Sequence, residues 1–263
     1  MKNRSNPPKG IHMIDLDRIT HPLRLARGSH KPGSGKGCAM NVISYINGDT
    51  KITDFPECSA RPLARLVQSL NDNLAGADGF LSPDNSVIVL DLGWLTVGTA
   101  GTPREVVWRW LADLLVHPER GVVRHARPDG AVAINRVAGL CIRESQGERV
   151  SATEWRGARS YADAYADADA DAAAAADAAA DAAAAAAADA DAYADAAADA
   201  AAAAAAYAAA YADAYAYAYA AAYAARIDFT RWAITHWRTL AGLDTPTDID
   251  TAAVNTALVR IHA

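Results

Sequence analysis

Outside one alanine-rich tract, the 263 residues contain no run of about 18 strongly apolar side chains, and the tract carries too many aspartates for a bilayer core. No membrane span and no membrane partner is expected. Cysteine is scarce, and Cys38, Cys58 and Cys141 are too odd a number to pair completely. The opening MKNRSNPPKG lacks the apolar stretch of a secretory signal. Together these predict a cytoplasmic chain with reduced thiols. Glycine and proline are absent between Gly157 and Gly242, so nothing there marks a turn. Lysine and arginine are absent from Tyr161 to Ala225.

That last stretch distorts every average. Its 65 residues are 45 Ala, 11 Asp and 9 Tyr, and each Asp or Tyr sits at an odd position. The net charge of −6 therefore hides a split: the tract is acidic, while the other 198 residues carry 25 Lys and Arg against 20 acids. Residues 1–37 are more basic still, with Lys2, Arg4, Lys9, Arg18, Arg24, Arg27, Lys31 and Lys36 against Asp15 and Asp17. A basic body beside an acidic segment is either solvated surface or a pair of binding surfaces, one suited to nucleic acid and one to a basic protein.

The two-residue alternation of the tract fits a strand template, but alanine has the highest helix propensity and is depleted in strands. Summed over the tract, propensity predicts helix. Two stripes spaced by four residues follow, Asp163, Asp167 and Asp171 near its start and Tyr207, Tyr211, Tyr215, Tyr219 and Tyr223 near its end. These are candidate partner-binding residues, as are Lys31 and Lys36. An expanded and decayed six-base repeat accounts equally for the pattern. As one straight helix, residues 152–241 would exceed about 130 Å. Doubling back as a hairpin, or pairing with a second chain, resolves that length.

The rest of the chain predicts short helices. Residues 1–10 read as a disordered basic arm and 26–37 as a glycine-rich loop. Cys38–Asn47 reads as a helix stopped by Gly48. In 61–74, Leu63, Leu66, Val67, Leu70 and Leu74 make one apolar face. Ser82-Pro83 caps a segment that leans to helix against its β-branched run. Thr102-Pro103-Arg104-Glu105 reads as a capping box opening helix 103–116, which ends at His117-Pro118. Arg127-Pro128-Asp129-Gly130 reads as a turn, with 131–142 helix or strand. Ser151-Ala152-Thr153-Glu154 is a second capping box, and it opens the long segment. Beyond the tract, Phe229, Trp232, Ala233, His236, Trp237 and Leu240 share a face, on which the tryptophans dock that segment on the body, and Gly242 stops the helix. Residues 250–261 read as a last short helix. The expectation is an all-α chain: arm 1–10, helical body 11–150, long helical element 151–242 and C-terminal helix 243–263.

Chemistry-bearing patterns are few. Gly28–Gly37 superficially resembles a phosphate loop, but His30 stands where its first glycine belongs and Gly37 where its hydroxyl belongs. A backbone nest for an anion remains open. His30, Cys38 and Cys58 are the candidate metal ligands, though separations of eight and twenty fit no zinc knuckle, and buried apolar-behaving cysteines are the plainer reading. His30, His117, His125 and His236 lack the local signature of a catalytic base, and Trp108, Trp110, Trp232 and Trp237 read as core. No catalytic residue and no cofactor is assigned.

Gly28-Ser29-His30, Gly37-Cys38-Ala39-Met40, Ser44-Tyr45, Phe55-Pro56-Glu57-Cys58 and Leu70-Asn71-Asp72, with Leu95–Gly98 later, carry a resemblance. Over roughly 28–101 the chain resembles an uncharacterised family of actinobacteria and their phages, many of whose members continue into alanine-rich helical repeats. The resemblance implies a phage or mobile-element source and an all-helical fold, and it carries over no catalytic residue. The reading is a non-enzymatic interaction protein presenting a rigid helical surface to a protein partner, either a host protein or a second copy. The alternative is a nucleic-acid-related role, through phosphate binding by the basic arm or mimicry of DNA by the acidic rod. A metal module at His30, Cys38 and Cys58 is the third.

Overall fold

The computed structural model describes residues 20, 23–31, 33–126, 128–158 and 216–262. The arm 1–10, Asp163, Asp167, Asp171, Tyr207, Tyr211 and Tyr215 lie outside the described residues. The fold is all-α, as its sequence predicts. Helices α1 (Ala39–Asn47), α2 (Arg61–Asn73), α3 (Pro83–Trp94), α4 (Arg104–Val116) and α5 (Pro128–Ser145) are followed by α6, residues 152–158. Past the tract come α7 (Ala216–Leu240), which takes in positions 219 and 223, and α8 (Thr251–His262). Among the described residues there is no strand, and two isolated bridges, Ala26 to Phe80 and Ser59 to Val97, tie loops together. No helix among them is long and apolar enough to cross a membrane.

Local signals explain most boundaries. The Ser82 side chain accepts the Asn85 N–H at 3.2 Å and caps α3. Ser151 and Glu154 form the reciprocal box at the head of α6, with Ser151 N–H to Glu154 Oε2 at 2.9 Å and Glu154 N–H to Ser151 Oγ at 3.3 Å. Two expectations are corrected. Thr102 does not cap α4, which starts one residue later, after Pro103. Its hydroxyl instead donates to Thr99 O at 2.7 Å and accepts the Trp237 indole N–H at 3.1 Å, so a tertiary contact has taken the capping group. Nor is 127–130 a free turn: α5 begins at Pro128, whose fixed φ suits a first helical position.

Helix α4 is the central post. Trp108 and Trp110, two residues apart, point to different sides of it, yet both are fully buried. Trp155 of α6 stacks on Trp108 with ring centroids 5.4 Å apart, and Trp237 of α7 meets Trp110 edge-on at 5.0 Å. The Trp110 indole N–H donates to Ala233 O at 2.8 Å. Behind α4 the chain reverses through Gly121, where a Cβ would come within 2.4 Å of the His117 backbone nitrogen, so no other residue fits. Helices α1, α2 and α3 complete the core through Met40, Ile43, Leu63, Leu66, Leu90 and Leu92. Helix α8 joins the same core, burying Val254, Ala257, Leu258 and Ile261.

Helix α7 is held by polar contacts as well. Arg238 donates from Nη1 to Leu95 O at 3.1 Å and Val97 O at 2.9 Å, capping the carbonyls that follow α3. Arg231 reaches Asp91 at 3.3 Å, and His236 Nε2 lies 2.7 Å from Asp113 Oδ2. The chain thus leaves the body from α4 and returns to α4. The rod, hairpin or paired arrangement expected of the tract falls on residues 159–215, outside the described residues.

Replacing Trp237 by Ala removes a fully buried indole and should cost about 3–5 kcal/mol in urea unfolding. Burial pushes the Asp113 carboxyl up, but hydrogen bonds from His236 and Arg109 outweigh it and hold the group below its usual range. A depressed folded-state pKa stabilises above the unfolded value near 3.9, and that stabilisation disappears as pH falls through the folded one. The stability gap between the native chain and Asp113→Asn should therefore be full above about pH 5 and close at lower pH. Denaturant melts between pH 3 and 7 check this, and a gap constant with pH would refute the pairing.

Candidate functional site

The sequence motifs at 28–40 and 70–72 lie far apart in the chain, yet the fold brings them together, with Asp54 beside them. The loop 27–37 is closed at its neck by Ala26 N–H to Gly37 O at 2.8 Å and leans on the next segment through Arg27 N–H to Gly79 O at 2.9 Å. Its backbone turns at Gly33 and Gly35, with φ of +76° and +70°. No atom would obstruct a Cβ at either position, so conformation and not packing selects glycine there.

Helix α2 supports the loop from beneath with polar side chains. Asp72 Oδ1 accepts the Gly28 N–H at 2.8 Å. Asn71, fully buried, donates to Ala26 O at 2.9 Å and accepts the Ala39 N–H at 3.3 Å. Gln68 donates to Ser29 Oγ at 3.3 Å and to Asp54 Oδ2 at 3.1 Å. The buried Asp54 carboxylate also accepts from Asn41 Nδ2 at 2.9 Å and from the Cys38 thiol at 3.4 Å. Buried polar groups persist only when they are paired, and here each pairing fixes a piece of loop backbone or its neighbour.

The candidate residues separate under this geometry. Cys38 is a buried thiol at the head of α1; burial, then the charge of Asp54, push its pKa well above the usual range, so it is a hydrogen-bond donor and not a nucleophile. Cys58 lies elsewhere, half-buried beside Ser59, with its carbonyl accepting Gly98 N–H at 2.9 Å. There Phe55–Cys58 meets Leu95–Gly98, clasped by Ser59 Oγ and Thr96 Oγ1 at 2.8 Å. Burial raises the Cys58 thiol too. Among the described residues no three His, Cys, Asp or Glu converge to hold a metal ion. His30 and the exposed Lys31 and Lys36 are brought together: with Gly33, Asn41 and Tyr45 they line a cavity of about 10 Å³ under the loop. The His30 Nε2 atom is buried, with no hydrogen-bond partner among the described residues.

Sequence reasoning missed Gln68 and Asp54 and quoted Asn71 only within a motif, with no role. Gln68 and Asn71 fall outside the apolar stripe of α2, where a solvated face is the ordinary reading, and only the neighbouring loop makes them interior. It also missed Asp113, whose partner His236 is 123 residues away. Half-buried His236 stacks on Trp232 at 5.3 Å and lies near His117 at 5.9 Å, and it acts here as a joint between α4 and α7.

Burial, with the charge of Glu144, also raises the Cys141 thiol. A disulfide reagent at pH 8 should leave Cys38 and Cys141 unmodified in the folded chain and titrate all three cysteines in denaturant. Fast stoichiometric labelling of Cys38 in the native state would contradict the geometry. No family model, no curated protein and no solved structure matches this chain.

Proposed function

We propose that this chain is a non-enzymatic interaction protein of a phage or mobile element, in which the helical body grips both ends of the alanine-rich segment and presents that segment to a protein partner. One observation carries the reading: Trp155 and Trp237, which flank the segment, both pack on α4, at 5.4 Å from Trp108 and 5.0 Å from Trp110. The grip is reinforced on the entry side by the Ser151–Glu154 box and by Arg143, which pairs with Glu154 at 2.6 Å. On the exit side Arg238, Arg231 and His236 reinforce it. Such anchoring orients whatever lies between. Eleven carboxylates and no base suit a basic surface on a host protein. The cysteines, held protonated, and the buried polar groups, engaged in fixing backbone, support a binding role over chemistry.

Replacing 161–223 by a flexible linker of about 20 residues, which spans roughly 25 Å, tests this. The body should melt as before, and a basic host protein captured by the full chain should be lost. Retention of that protein by the linker variant would sink the proposal. Light scattering with small-angle scattering on the full chain should give a maximum dimension below about 110 Å, because a segment returning to α4 spans at most half its helical length.

A further inference from the structure

The underside of the loop 27–37 holds a combination that its structural duties leave unexplained. Lys31 and Lys36 are exposed, and neither enters an ion pair among the described residues. Lys36 is kept near the loop neck by the Phe80 ring, whose centroid lies 5.3 Å from Nζ, and Arg24 covers the same ring at 3.8 Å while pairing with Asp78 at 2.7 Å. His30 lines the same cavity as the two lysines, and its Nε2 atom is buried with no hydrogen-bond partner among the described residues. An unpaired buried polar atom is costly unless a ligand or water completes it. The cavity, about 10 Å³, has room for about one oxygen-sized group. The glycines at 33 and 35 leave the backbone open to close approach, with φ of +76° and +70°.

We propose that this loop is a phosphate-binding site: one phosphoryl oxygen enters the cavity lined by His30, and the Lys31 and Lys36 ammonium groups neutralise the oxygens left at its mouth. Two mobile cations and an imidazole match a tetrahedral anion carrying more than one charge better than a planar carboxylate, which favours a guanidinium fork. The acids beneath do not compete for the lysines. Asp54 is engaged by Cys38, Asn41 and Gln68, and Asp72 by Gly28 N–H. The rigid support explains why α2 turns polar side chains inward: an anion site works when its donors are held before the ligand arrives. The site uses no residue of the alanine-rich segment, so it stands or falls separately from the presentation of that segment.

The phosphoryl group belongs either to a small molecule or to a nucleic-acid backbone, and calorimetric titration of the full chain separates these. The probes are inorganic phosphate, ADP and a ten-nucleotide thymidylate strand, against the native chain, a Lys31→Ala/Lys36→Ala double variant and Arg120→Ala, an exposed cation outside the loop. At least one probe should bind saturably and shift the His30 imidazole proton resonances. The double variant should weaken that binding at least tenfold with an unchanged melting curve, and Arg120→Ala should leave it intact. Binding of phosphate and ADP without the strand identifies a terminal phosphate. Binding of the strand, with the slope of log affinity against log salt flattened by about 1.4 in the double variant, identifies the backbone diester. No binding of any probe at millimolar concentration, or binding that the double variant retains, overturns the site.

Discussion

The structure depends on one helix that is buried on two opposite sides. An amphipathic helix offers one face to a core, and α4 offers two, leaving only a strip with Glu105 and Arg109 exposed. Trp108 and Trp110 project about 200° apart, and each is covered by an indole from a segment distant in sequence. Aromatic pairs of this kind add to the area term that already makes tryptophan the largest apolar contributor per residue. Alanine side chains offer little apolar area, so the sequence of the alanine-rich segment gives it little to bury. Its ends therefore borrow the core of the body, and α4 is what they borrow.

A second constraint comes from the joints. With no sheet among the described residues to satisfy them, loop carbonyls and amides must find side chains. Asn71, Asp72 and Gln68 serve the loop before α1, while Thr96 and Thr99 serve the junction after α3, where Thr99 Oγ1 accepts Ala60 N–H at 2.8 Å. The short motifs at 28–30, 37–40, 55–58, 70–72 and 95–98 all fall at such joints. Helix α8 completes them, since a Cβ at Gly37 would meet Ile261 at 2.9 Å.

Local chemistry made much of this legible. The Ser82 cap, the Ser151–Glu154 box and the leucine stripe of α2 each act within a few residues, so their meaning does not wait for the fold. The β-branched run 87–89 was outweighed by the cap that precedes it. Thr102 misled because an indole 135 residues away recruits its hydroxyl. The loop at 26–37 and its lysines could be singled out, but not the support that aims them: polar positions on α2 look solvated until a neighbour buries them. The pairing of Asp113 with His236 was illegible for the same reason, since charge partners across 123 residues leave no periodic trace.

The double attachment to α4 has a bearing on heredity. Two-residue units gained or lost between fixed moorings leave every moored contact as it was, because neither Trp155 nor Trp237 has to move along its seat. Copy number in the alternating stretch is thereby uncoupled from the seats of Trp155 and Trp237 on the frame.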